Sequence, residues 1–132
     1  MTVSQDMLRT NPSPPGYDPE ALAACIEACF DCVAACTACA DACLGEETVG
    51  QLRRCITSDL GCADLCDATG RILSRQAGYH PDLTRAALTA CRDACRSCGS
   101  ECESHADHHE HCRVCAEACR RCEQACEKLL SS

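Results

Sequence analysis

The 132-residue chain has no tryptophan, one phenylalanine and two tyrosines. So few rings exclude a surface built to stack on nucleic-acid bases, and they leave little for an ordinary aromatic core. Charges of both signs are interspersed, with a formal net charge of −8, so no basic patch offers itself to nucleic acid or an anionic membrane. The opening stretch MTVSQDMLRTNPSPPGY has no apolar leader core, no twin arginine and no cleavage site. No run approaches the roughly 20 apolar residues that span a bilayer. The expectation is a single-domain cytoplasmic protein with neither membrane nor nucleic-acid partners.

What the chain has is cysteine, eighteen of them. That density elsewhere marks a disulfide scaffold, which needs an oxidising compartment. Without an export signal, the thiols are expected to be free. Their order is the stronger signal. In CIEACFDCVAACTACADAC they fall at Cys25, Cys29, Cys32, Cys36, Cys39 and Cys43, in alternating steps of four and three. On a helix such steps form one stripe. On a strand they scatter over both faces. Cysteine occupies the seam where a bundle helix usually carries leucine.

The punctuation predicts four helices. The first begins at Asp18 as N-cap, with Pro19 at its first position, and stops at Gly45. The second begins at Thr48, where Gln51 completes a T-x-x-Q capping box, and runs to Gly78. Its seam is Leu52, Cys55, Asp59, Cys62, Cys66, Thr69 and Leu73. The third opens at Pro81, with Thr84, Leu88, Cys91, Cys95, Cys98 and Cys102 in line, and His105 if the helix lasts that far. The fourth opens on a capping box of Asp107 and Glu110, with His108, Cys112, Cys115, Cys119, Cys122, Cys126 and Leu129 on its seam. Residues 1–17 read as an irregular arm with at most a short turn of helix near Met7, and residues 18–132 as the bundle domain.

Comparable lengths and short connections predict an all-α, antiparallel up-down-up-down four-helix bundle with a cysteine-lined core. Leu22, Leu73, Leu88 and Leu129 then meet at one end and close it against water. The other end collects Cys43, Cys55, Cys102 and Cys112 with the histidines of HADHHEH, forming a mouth.

Thiolate is a soft ligand that selects Cu(I), zinc or iron–sulfur clusters. Zinc and iron–sulfur sites want closed sets of four ligands, which a continuous ladder does not supply. Cu(I) accepts two or three thiolates and shares them with neighbouring ions, so it fills a tube at roughly one ion per cysteine. Eighteen ionised thiols would also add eighteen negative charges to the −8 already present. Monovalent ions at that loading neutralise them. An iron–sulfur or thiol-redox electron carrier, and a zinc buffer resembling metallothionein, stand as alternatives, the latter weakened by apolar flanks such as Ile26, Val33, Leu73 and Leu129. No reading requires a catalytic cycle.

These C-x3-C-x2-C-x3-C ladders, with a histidine-rich segment before the last helix, resemble the bacterial copper storage proteins, and most closely their cytosolic branch. The resemblance covers Asp18 to the C-terminus. It implies many Cu(I) ions held by all eighteen cysteines, loading through a His-bearing end, assembly as a homotetramer, and exchange with copper donor or acceptor proteins or small thiols. By position it makes His105, His108, His109 and His111 entry or auxiliary ligands. Asp59 and Thr69 stand where a full ladder places sulfur, so Asp59 is either a partner of thiol or metal, or an outward residue if the seam slips to Ser58.

Overall fold

The computed structural model describes residues 1–132. Helix α1 (Val3–Thr10) is followed by four longer helices, α2 (Pro19–Leu44), α3 (Arg53–Ser74), α4 (Pro81–Glu103) and α5 (Glu110–Leu130). Helix α2 packs on α3 and α5, and α4 packs on the same two helices, so the four form a closed square with α1 laid against α2. This is the all-α bundle expected from the cysteine heptads, with a more regular arm. Thr2 and Gln5 form a reciprocal capping box that starts α1.

Several helix ends follow their sequence signals. Asp18 accepts the Ala21 N–H ahead of Pro19, and Gly45 closes α2. His80 accepts the Leu83 N–H in front of Pro81, capping the start of α4. Two others do not. Thr48 makes no capping bond and precedes only a 3₁₀ turn, Val49–Gln51. Helix α3 starts at Arg53, beside the fully buried Leu52, and ends at Ser74. Gly78 lies past that end, in a turn that needs its φ of 67°. The Asp107–Glu110 box is also absent: His109 is the N-cap of α5, without a side-chain capping bond. Consequently His105 and His108 fall in the α4–α5 turn rather than on a helical seam.

The closed end is built as expected. Leu22, Leu73, Leu88 and Leu129 are all at most 2% exposed. The arm is fastened to this end. The buried Gln76 donates to the Leu73 carbonyl and accepts the Gly16 N–H, both at 2.8 Å. Gly70 lets α3 lie close against α2, since a Cβ there would lie 2.9 Å from the Phe30 ring.

One expectation is corrected. Helix α2 is long and apolar enough to cross a membrane, with a mean hydropathy of 1.7 over 18 residues. Its apolarity comes from cysteine and alanine, and its stripe from Leu22 to Cys43 is buried in the bundle.

Candidate metal centre

All eighteen cysteines are free and buried. The heptad phase puts each sulfur on the inner stripe of its helix, and the square arrangement turns four stripes toward one axis. The resulting Sγ···Sγ contacts are 3.6–4.0 Å. That is far beyond a disulfide bond of about 2.05 Å, yet close enough for neighbouring thiolates to share an ion.

From the leucine end, Cys25 meets Cys126 at 3.8 Å, and Cys29 meets Cys122 at 3.8 Å. Cys66 then reaches Cys91 at 3.7 Å and Cys95 at 3.6 Å. Cys62, Cys32 and Cys119 continue the path to Cys36 and on to Cys115 at 3.7 Å and Cys98 at 4.0 Å. Sets of four sulfurs with all atoms within 4.8 Å of one another recur along it, such as Cys29, Cys91, Cys122 and Cys126.

Asp59 then takes the place of a sulfur. It is fully buried, so the seam does not slip to Ser58. Its Oδ1 accepts from Cys98 at 3.1 Å, Cys115 at 3.3 Å and Cys102 at 3.4 Å. Cys55 lies 3.9 Å from Oδ2 and 3.7 Å from Cys102. Burial, reinforced by the electrostatic effect of the neighbouring Cys115, pushes the Asp59 carboxyl up to about 12. Thr69, the other non-sulfur seam position, is buried and donates to the Ala87 carbonyl at 3.3 Å.

Beyond Asp59 lies the histidine end. Cys39, Cys43, Cys112 and His111 form a compact set of three sulfurs and one nitrogen. His111 Nδ1 is 3.4 Å from Cys39 Sγ and 3.7 Å from Cys112 Sγ. Its Nε2 faces Glu46 at 3.4 Å. His109 is stacked on it, with ring centroids 5.5 Å apart, and its Nδ1 pairs with the same Glu46. His105 sits slightly further out, paired with Glu101 at 2.8 Å. His108 is exposed in the turn, its N–H bonded to the His105 carbonyl at 3.1 Å. Sequence reasoning thus missed Glu46 and Glu101, and ranked His108 over His111 by extending the helical register past the start of α5. The available signal was local: His111 directly precedes Cys112, and Glu46 directly follows the Gly45 stop.

The electrostatics of the thiols are shared. Burial holds Cys43 up to about 11. Cys25 is brought down to about 5, because Cys126 and Cys29 donate to its sulfur against the effect of burial. Those two donors are themselves held well above the ordinary thiol range, bonds to Cys122 being the largest cause for each. Burial lowers the His111 imidazole, but Cys39 and Glu46 outweigh it and the net shift is upward. A metal-free interior therefore tolerates isolated thiolates among protonated neighbours, and full ionisation requires cations.

The sequence profile described as "Csp: Copper storage protein" matches residues 18–131. Among solved structures, the chain is similar to the copper storage protein Ccsp from Streptomyces lividans loaded with 10 copper equivalents, at 58% identity over 98% of both chains and a TM-score of 0.95. It is 60% identical to a cytosolic copper storage protein from Streptomyces lividans carrying five coppers, over 86% of this chain and 94% of that one, with a TM-score of 0.85. It is 37% identical to the Cu(I)-bound copper storage protein BsCsp3, over 81% of this chain and 95% of that one, with a TM-score of 0.72. No curated protein matches.

Proposed function

The chain belongs to the copper storage protein family, and from that premise we propose that it is a non-enzymatic cytosolic store of Cu(I), held by its eighteen cysteines. The observation that carries this reading is the run of free, buried sulfurs along the bundle axis, with neighbours 3.6–4.0 Å apart, in a bundle closed at one end by leucine. Soft thiolates favour Cu(I), and sharing each sulfur between neighbouring ions gives a capacity of roughly one ion per cysteine. Asp59 interrupts the sulfur path and serves as an oxygen neighbour within it.

Ions enter at the histidine end. His111 presents Nδ1 to the Cys39–Cys112 pair, with His109 and His105 flanking it. His108, exposed in the turn, acts at most as an outer collecting group. Donor and acceptor proteins or small thiols exchange copper here. The functional unit is a homotetramer, a reading supported by the family and by exposed apolar side chains outside the bundle such as Leu60, Leu65 and Val114. Light scattering tests it: the expected mass is four times that of the chain.

An anaerobic Cu(I) titration of reduced protein against a competing chelator tests storage. Tight uptake of roughly one ion per cysteine with unchanged helicity is expected. Loading also releases protons, because protonated thiols become thiolates, so apparent affinity rises with pH. Saturation at a handful of ions, or an affinity indifferent to pH, refutes thiolate storage.

A further inference from the structure

One carboxylate at the entrance serves two imidazoles. Glu46 follows the Gly45 stop of α2, and its N–H is bonded to the Cys43 carbonyl at 3.2 Å, so it is anchored to the helix that carries Cys39 and Cys43. Its Oε2 meets His109 Nδ1 and, at 3.4 Å, His111 Nε2, both at the start of α5. An ionised carboxylate only accepts hydrogen bonds. A ring nitrogen that donates to it carries a proton, and in a neutral imidazole the opposite nitrogen is then left with a lone pair.

The two rings face Glu46 with different nitrogens. Donation to Glu46 corresponds to the Nδ1–H tautomer of His109, with Nε2 free, and to the Nε2–H tautomer of His111, with Nδ1 free. The free nitrogen of His111 is the one 3.4 Å from Cys39 Sγ and 3.7 Å from Cys112 Sγ. His109 occupies the N-cap position of α5 yet makes no capping bond, so its ring is committed to Glu46 rather than to the helix. The rings are stacked on one another, 5.5 Å apart and inclined by 28°, with this one carboxylate facing both.

We propose that Glu46 is a positioning residue of the entrance, fixing opposite tautomers on His109 and His111 so that a soft cation meets a free nitrogen on each. Without it, His111 is free to turn an Nδ1–H toward Cys39, which places a proton where the ion must bind. Carboxylates behind metal-binding histidines act in this way elsewhere. The role rests on the proposed use of this end for loading.

The test compares the unsubstituted protein with Glu46→Ala and Glu46→Gln. Long-range ¹H–¹⁵N spectra of metal-free, reduced protein at pH 8 read the tautomers directly. The unsubstituted protein should show Nδ1–H at His109 and Nε2–H at His111, and Glu46→Ala should lose that pairing. The initial rate of Cu(I) transfer from a chelator should fall about tenfold in Glu46→Ala. Glu46→Gln, which keeps an acceptor oxygen, should restore both the tautomers and most of the rate. Unchanged tautomers in Glu46→Ala, or an unchanged transfer rate, overturn the proposal. An unsubstituted protein that takes up only a few ions overturns the storage reading instead, and the metal-free spectra still decide the role of Glu46.

Discussion

Replacing Asp59 by asparagine should make the metal-free protein more stable at neutral pH, by an amount that grows with pH. The carboxyl is fully buried among Cys55, Cys98, Cys102 and Cys115, and burial pushes it from 3.8 to about 12. Its folded-state pKa lies above its unfolded value, so the folded chain retains a proton that the unfolded chain has lost. The stability linked to that proton is fully present below about pH 3.9 and is lost as pH rises toward the folded value. Within that window each pH unit removes about 1.4 kcal/mol, hence ~4 kcal/mol between pH 5 and pH 8. The slope requires only that the folded pKa exceed 8. Asparagine does not titrate, and its Oδ1 still accepts the thiol hydrogens that Asp59 receives from Cys98, Cys102 and Cys115. The other titratable groups are common to both proteins, so to first order their contribution cancels in the difference. Urea unfolding of reduced, metal-free protein, followed by helical circular dichroism at pH 5, 6, 7 and 8, should show the two stabilities diverging by ~4 kcal/mol across the range. Parallel pH profiles would refute the buried, protonated carboxyl.

Three further substitutions report on packing. Gly61→Ala should stabilise the metal-free bundle by about 0.5–1 kcal/mol, because a methyl group there meets nothing within 4 Å and helix propensity improves. Gly70→Ala should destabilise it by about 1–3 kcal/mol, since the new Cβ would lie 2.9 Å from the Phe30 ring and 3.2 Å from Cys29 Cβ; chemical unfolding distinguishes the two signs. Leu88→Ala, in the fully buried closing layer, should cost about 2–5 kcal/mol on the same assay, with the larger values expected if the four-leucine layer does not collapse into the space.

The bundle and its lining were legible because the seam is a long-range pattern: cysteine at heptad spacing has one helical solution, and its phase alone aims the sulfurs inward. Asp18, Pro19 and Gly45 were legible for a local reason, since each fills a terminal position whose backbone geometry suits it. The Thr48–Gln51 signature failed for a tertiary one. Thr48 lies at φ −90° and ψ 29°, outside the extended conformation a capping box requires, and the turn instead delivers Leu52 into the core. At the entrance, counting heptads back from Cys112 carried the register through His109, where the helix begins. The seam therefore pointed to His108, while packing of the α2 end against α5 brought His111 and Glu46 together, a juxtaposition 65 residues apart in sequence. The phase placed Asp59 either on the seam or, with a slip to Ser58, facing outward; its burial, and its protonation among the surrounding thiols, required the fold.

The leucine layer that stops one end, strapped by Gln76 and Gly16, has a consequence for the order in which cargo turns over. If ions pass only through the histidine end, as proposed, the tube works as a stack rather than a queue. The ion most recently admitted would then stand nearest the exit, beside Cys39 and Cys112, and those lodged by Cys25 and Cys126 would wait behind every later arrival. One molecule would thereby keep two accounts of its metal history: a shallow pool that answers promptly to demand, and a deep pool that is drawn only when the shallow one is gone.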